Sequence, residues 1–272
     1  MAPPKKGKGR SGGEGPPILA ILLFGFVALS GGALGYYYLS AERPLELDRT
    51  SLCPVDGPRA VTAVLVDATD DLPDASKRQV TAIVTDAAAS LAPHEMLDIR
   101  VIDASGSRSV FTRCNPGDGA GLSEWTANPT LARRRWEEGF RKPTEQAIAA
   151  SMASARAKTS PIMKGIQDTA LERFTSSQSN MASRRLIIIS DMLENDPDYS
   201  HYSGDLSFQR YRRSAAFRKY STDLNDAEVT IRVVQRLSRK PADDLALIQF
   251  WRDWISDNKG RFQEATRLQG AG

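Results

Sequence analysis

Residues 18–39, ILAILLFGFVALSGGALGYYYL, form a run of 22 residues without a charge. As a helix rising about 1.5 Å per residue the run spans about 33 Å, close to the hydrocarbon thickness of a bilayer. Tyr36, Tyr37 and Tyr38 stand where an interfacial aromatic belt lies. Lys5, Lys6, Lys8 and Arg10 precede the run, in a Pro- and Gly-rich stretch with the composition of a disordered tail. The positive-inside rule keeps residues 1–17 in the cytoplasm and puts everything after about residue 40 outside it. The expectation is a single-pass protein of the inner (cytoplasmic) membrane with its folded part in the periplasm. The competing reading is a cleaved signal peptide with its cleavage site among the small residues around Ala28–Ala33.

Charge excludes one class of partner. Of 36 basic and 33 acidic residues, four and one lie in the first 17, which leaves the rest balanced at 32 each. A nucleic-acid surface needs a basic excess, so none is expected. The local clusters ARRRW (132–136) and RYRRS (210–214) read as solvated helix faces. The two cysteines, Cys53 and Cys114, are an isolated pair in a compartment where disulfides persist. They are expected to bond, closing a loop of about 60 residues that stabilises the fold by roughly 4 kcal/mol in the chain-entropy model. Two unpaired thiols are the alternative. Two separated cysteines with two histidines, His94 and His201, do not make a zinc site.

Beyond a linker over 40–57, apolar runs alternate with helical periodicity. VTAVLVD (61–67), LDIRVIDA (97–104), SVFTRCNPG (109–117), RRLIIISD (184–191) and EVTIRVVQRL (228–237) read as strands. Residues 74–91, 130–156 with a break at Pro143, 161–175 and 241–260 read as helices. Trp251 and Trp254 fall at core positions. Such alternation specifies an α/β fold, a doubly wound and mostly parallel sheet over residues 58–260, with 261–272 left as a tail. Ligands of such sheets bind at the carboxyl ends of the strands. Asp67 and Asp191 stand there.

Asp67, Thr69, Asp70 and Asp71 crowd one turn. Carboxylates that close repel one another, and a hard divalent cation removes the repulsion. Carboxylates and hydroxyls together suit Mg²⁺ or Mn²⁺, which take oxygen ligands and keep positions open for water or a further ligand.

The turn DATDD resembles the Asp-x-Ser-x-Ser motif of von Willebrand factor A domains, with Asp67 and Thr69 in its first two places. SPIMKGI (160–166) is similar to the family's second element, a hydroxyl opening a helix, with Ser160 in that place and Gly165 and Ile166 following. IIISDMLEN carries Asp191 where the family ends an apolar strand with Asp. The three come in the family's order. The resemblance, to the bacterial membrane-anchored type, implies a metal-ion-dependent adhesion site of Asp67, Thr69, Asp71, Ser160 and Asp191, completed by an acidic residue of a partner protein. Asp71 replaces the family's Ser, Ser160 its Thr, and SDMLEN its TDG.

Two other classes compete. An Asp-based, Mg²⁺-dependent phosphatase or phosphotransfer domain also gathers aspartates at strand ends, but the phosphatase pattern needs a second Asp where Thr69 stands, and neither histidine is placed for a Ser/His/Asp set. A structural scaffold is the third reading, with Asp67 and Asp191 only capping turns or helices. The expectation is a binding module, not an enzyme. Asp67→Ala is expected to abolish metal binding and spare the fold, because it removes one like charge.

Overall fold

The computed structural model describes residues 18–40, 45–69, 72–120, 128–152, 157–175, 182–234 and 241–268. It divides into two compact units, Met1–Leu45 and Glu46–Gly272. In the first, helix α1 (Ile18–Ser40) contains a 22-residue window, Ile18–Leu39, of mean hydropathy 2.3, long and apolar enough to cross a membrane.

The second unit follows the order β1 (Ala60–Asp67), α2 (Asp74–Ala89), β2 (Glu95–Asp103), β3 (Gly106–Cys114), α3 (Pro129–Trp136), α4 (Lys142–Ser151), α5 (Ile162–Thr169), β4 (Arg184–Ser190), β5 (Asn195–Asp196), β6 (Tyr199–Ser200), α6 (Phe208–Arg212), α7 (Ala215–Lys219), β7 (Glu228–Val233), α8 (Pro241–Asp257) and β8 (Arg261–Arg267). Six strands form one sheet in the order β3-β2-β1-β4-β7-β8, parallel except for β3. The doubly wound, mostly parallel α/β expectation is met.

β1 lies at the centre of the sheet and is buried along its whole length. Its side chains alternate between two helical layers, as they must in a parallel sheet covered on both sides. Val64 and Val66 pack with Val80 and Val84 of α2 and Ile148 of α4. Ala63 and Leu65 face the other way, into a cluster with Ile162 and Ile166 of α5 and Phe250, Trp251 and Trp254 of α8. Both tryptophans are fully buried, and each indole donates a hydrogen bond, Trp251 to the Met192 carbonyl and Trp254 to the Tyr211 hydroxyl. A buried Trp needs such a partner for its N–H.

Several boundaries depart from the sequence expectation. The segment 261–272, expected as a tail, contributes β8, a full edge strand beside β7. The third strand begins at Gly106, because Asp103 accepts the amide and hydroxyl of Ser105 and folds the chain straight back on β2. The 40–57 linker is already part of the folded unit from Glu46: Leu47 pairs with Pro54, and Cys53 is bonded to Cys114. Pro143 does not break its helix. It cannot donate to the Gly139 carbonyl, and a wide turn at Glu137–Arg141 carries the chain through. Arg113 of β3 donates to the orphaned carbonyl instead. α8 ends at Asp257, earlier than expected. Gly260 is required by space, since a Cβ there would meet Leu224 Cδ1 at 2.6 Å.

The basic clusters are engaged locally. Arg133 and Arg134 face Glu137 and Glu138 one turn on, at 3.6 and 3.1 Å, and the Arg210 guanidinium lies over the Tyr199 ring. A polar network not foreseen from the sequence joins the buried Asp98 and Arg100 of β2 to the more exposed Glu172 and Arg173, in the wide turn after α5. It holds that helix against the β2–β3 hairpin.

Candidate functional site

β1 and β4 are parallel neighbours with Val66 opposite Ile189. Their last residues, Asp67 and Ser190, therefore emerge side by side at the carboxyl end of the sheet. The Ser190 hydroxyl donates to Asp67 Oδ2 at 2.8 Å. Ser160, just before α5, donates to the same oxygen at 3.0 Å. Asp67 Oδ1 accepts the Thr69 amide at 3.0 Å and the Thr69 hydroxyl at 2.6 Å. All four residues are buried. A carboxylate only accepts, so each of the three hydroxyls commits its proton to Asp67 and keeps lone pairs for another partner.

Each arm is fixed from behind. Ser160 exchanges two backbone hydrogen bonds with Asn195, the first residue of the β5–β6 hairpin. The Thr69 carbonyl accepts the Ala157 amide. Ser190 Oγ accepts the Met192 amide at 2.9 Å, and Met192 holds a left-handed φ of 62°. Trp251 secures that strained residue through its carbonyl. Asp191 is buried next to Ser190, with Oδ1 accepting the Leu193 amide at 2.9 Å.

Thr69 and Ser160 thus meet at Asp67, and Asp191 follows Ser190, one residue past the end of β4. Asp71 and its neighbour Asp70 lie outside the described residues. The surroundings of Asp67 differ from the expectation: its contacts are hydroxyl and amide donors, and among the described residues no three Asp, Glu, His or Cys side chains converge. The expectation that Asp67→Ala spares the fold is corrected accordingly. Asp67 is the common acceptor that holds three segments together.

Sequence reasoning missed two residues. Ser190 could have been found from the parallel register, which brings the residue before Asp191 beside Asp67. Glu194 carries no sequence signal. It is fully buried, and its Oε2 accepts the Met163 amide at 2.8 Å, at the start of α5. Its own amide donates to His201 Nδ1 at 3.0 Å. His201, not expected near a strand-end loop, backs the loop after β4. Burial pushes the Glu194 carboxyl well above the usual range, with the charges of Asp196 and Asp67 adding to the rise against the Met163 and Ile162 amides.

The donor set is all hard oxygen: two carboxylates and three hydroxyls. That fits Mg²⁺ or Mn²⁺, and it does not fit a soft or imidazole-seeking metal. When bound, such an ion would supply a Lewis-acidic position for an oxygen ligand. Asp67, Thr69, Ser160, Ser190 and Asp191 are the described residues that would hold it.

A doubly wound sheet of this strand order, with its candidate site at the carboxyl ends of β1 and β4, defines a von Willebrand factor A-like fold. Three solved structures are similar to this chain, two of them von Willebrand factor A by name. The SpRpn10 VWA domain is 11% identical with a TM-score of 0.41, over 78% of this chain and 90% of that one. A von Willebrand factor type A protein from Catenulispora acidiphila is 13% identical with a TM-score of 0.44, over 76% of this chain and 38% of that one. An aerotolerance-related membrane protein from Bacteroides fragilis is 11% identical with a TM-score of 0.37, over 78% and 92%. No family model matches the chain, and no curated protein does.

Proposed function

We propose that this chain is a membrane-tethered binding module whose oxygen cage at Asp67, Thr69, Ser160 and Ser190 takes Mg²⁺ or Mn²⁺, with Asp191 and Asp71 at its edge. An open coordination position then accepts an acidic side chain of a partner protein, and binding is cation-dependent. The observation that carries this reading is the convergence of three hydroxyls, from the turn after β1, the loop before α5 and the end of β4, on one carboxylate. Simple helix or turn capping does not call for three hydroxyl protons from separate segments on one carboxylate. The position two residues after Asp67 is a hydroxyl hydrogen-bonded to it, which favours binding over phosphatase chemistry. We place the domain outside the cytoplasm, in the periplasm. The N-terminal apolar helix and the Cys53–Cys114 disulfide support that placement.

Calorimetry and thermal unfolding of the full-length chain in detergent test the cage. Mg²⁺ or Mn²⁺ at a hundredfold excess over Kd should stabilise it by about 2.7 kcal/mol. Ser160→Ala should weaken binding, and Asp71→Ser, which restores the family's residue, should keep or strengthen it. No heat and no thermal shift at millimolar ion would leave a scaffold with capped turns. A reporter active only outside the cytoplasm, fused after Gly272, should be active. Signal from a cytoplasmic reporter alone would reverse the topology.

A further inference from the structure

Glu194 is the buried acid that the proposed cage does not use. It has no solvent exposure. One oxygen accepts the Met163 amide, and the other, Oε1, meets no hydrogen-bond partner among the described residues. The Met163 and Ile162 amides oppose the rise, but the described side chains around it supply no counter-charge. Asp67 at the end of β1 and Asp196 on the hairpin both oppose its ionisation. His201 Nδ1 is occupied by the Glu194 amide itself. Tyr199 and Tyr211 are phenols that burial keeps neutral. A carboxylate in such a place needs either a proton or a nearby positive charge. A dication beside Asp67 would offset that residue's charge and supply a positive one.

We propose that Glu194 is held as a neutral carboxylic acid while the Asp67 cage holds no cation, and that a cation entering the cage drives its proton into solvent. The proposal rests on the reading of the cage as a cation site. Glu194 is then a positioning residue with a proton-linked state. Its Oε2 fixes the start of α5, three residues after Ser160, and Asn195, the next residue along, pairs with Ser160. Cation affinity should rise with pH, and a drop in pH should empty the site.

The linkage has a definite sign. A carboxyl raised in the fold above its unfolded value of about 4.5 stabilises the fold fully below that value. The contribution is lost as pH rises through the folded value. Wild type, Glu194→Gln and Glu194→Ala are therefore compared as full-length chains in detergent with chelator, by thermal unfolding across pH 5–9. The wild type should lose stability as pH rises. Glu194→Gln keeps the acceptor for Met163 and carries no titrating group, so it should show a flatter profile and exceed wild type at the alkaline end. Glu194→Ala should be less stable than Gln throughout. A Gln profile that tracks wild type would overturn the neutral-acid assignment.

The second arm titrates Mn²⁺ calorimetrically in two buffers of different ionisation enthalpy. The wild type should release up to one proton, with affinity rising as much as about tenfold per pH unit. Glu194→Gln should bind and release none. Equal proton release by both would refute the coupling. Absence of binding in every chain would remove the cage reading and the coupling together, while the chelator arm still decides the state of Glu194.

Discussion

Replacing Asp67 by Ala removes the acceptor of four hydrogen bonds at once, from the Thr69 amide and hydroxyl, Ser160 and Ser190. A hydrogen bond to a charged group contributes about 1.5–3 kcal/mol, and a buried donor left unmade costs about 1–3 kcal/mol. The four share one carboxylate, so they do not add. Ser160 keeps slight exposure, so its hydroxyl can also turn toward water. A net loss of about 2–4 kcal/mol follows, which for a domain of this size lowers Tm by about 4–16 °C. Asp67→Asn keeps one acceptor oxygen and should lose about half as much. Denaturant unfolding of the full-length chain followed by circular dichroism, with chelator present so that no ion contributes, gives the comparison. An Asp67→Ala chain at least as stable as wild type would refute the reasoning. Repulsion among the acids of the turn would then outweigh the hydrogen bonds.

Two further outcomes test the frame around the site. Removing the disulfide by Cys53→Ala with Cys114→Ala opens a loop with a sequence separation of 61, and should cost about 4 kcal/mol in denaturant unfolding. A loss under about 1 kcal/mol would show that the segment is held by its other contacts. Gly165→Ala puts a Cβ 3.0 Å from Ile102 Cγ1 and 3.3 Å from its Cδ1 and should cost about 1–3 kcal/mol by overpacking, partly recovered by Ile102→Val, which removes Cδ1. A neutral Gly165→Ala would mean that α5 can move off the sheet.

Much of this protein is decided locally. The uncharged run 18–39 is apolar at every turn and long enough to be read as a helix from composition and length alone. VTAVLVD and RRLIIISD are apolar on consecutive residues and have no stable place except between two covering layers. Once they are central parallel strands, Asp67 and Asp191 must sit at the carboxyl ends. The Cys53–Cys114 pairing was also legible, since the chain offers each cysteine a single partner.

What the sequence left open depends on residues far apart in the chain meeting. Arg261–Arg267 alternates too weakly to be read as a strand and becomes one because β7 presents an unpaired edge. Ser190 acquires its role from the register of β4 against β1 and has no local signature, whereas Ser160 was legible in SPIMKGI and owes only its fixed position to the bridge to Asn195. Glu194 is the clearest case. An acid three residues past a strand reads as a solvated loop residue, and only the packing of α5 and α8 around that loop buries it. The charge pattern along the chain suggested acids crowding together, whereas the fold surrounds Asp67 with donors. A hydrogen bond is specified by position in three dimensions, and spacing along a chain determines that position only within a single strand, helix or turn.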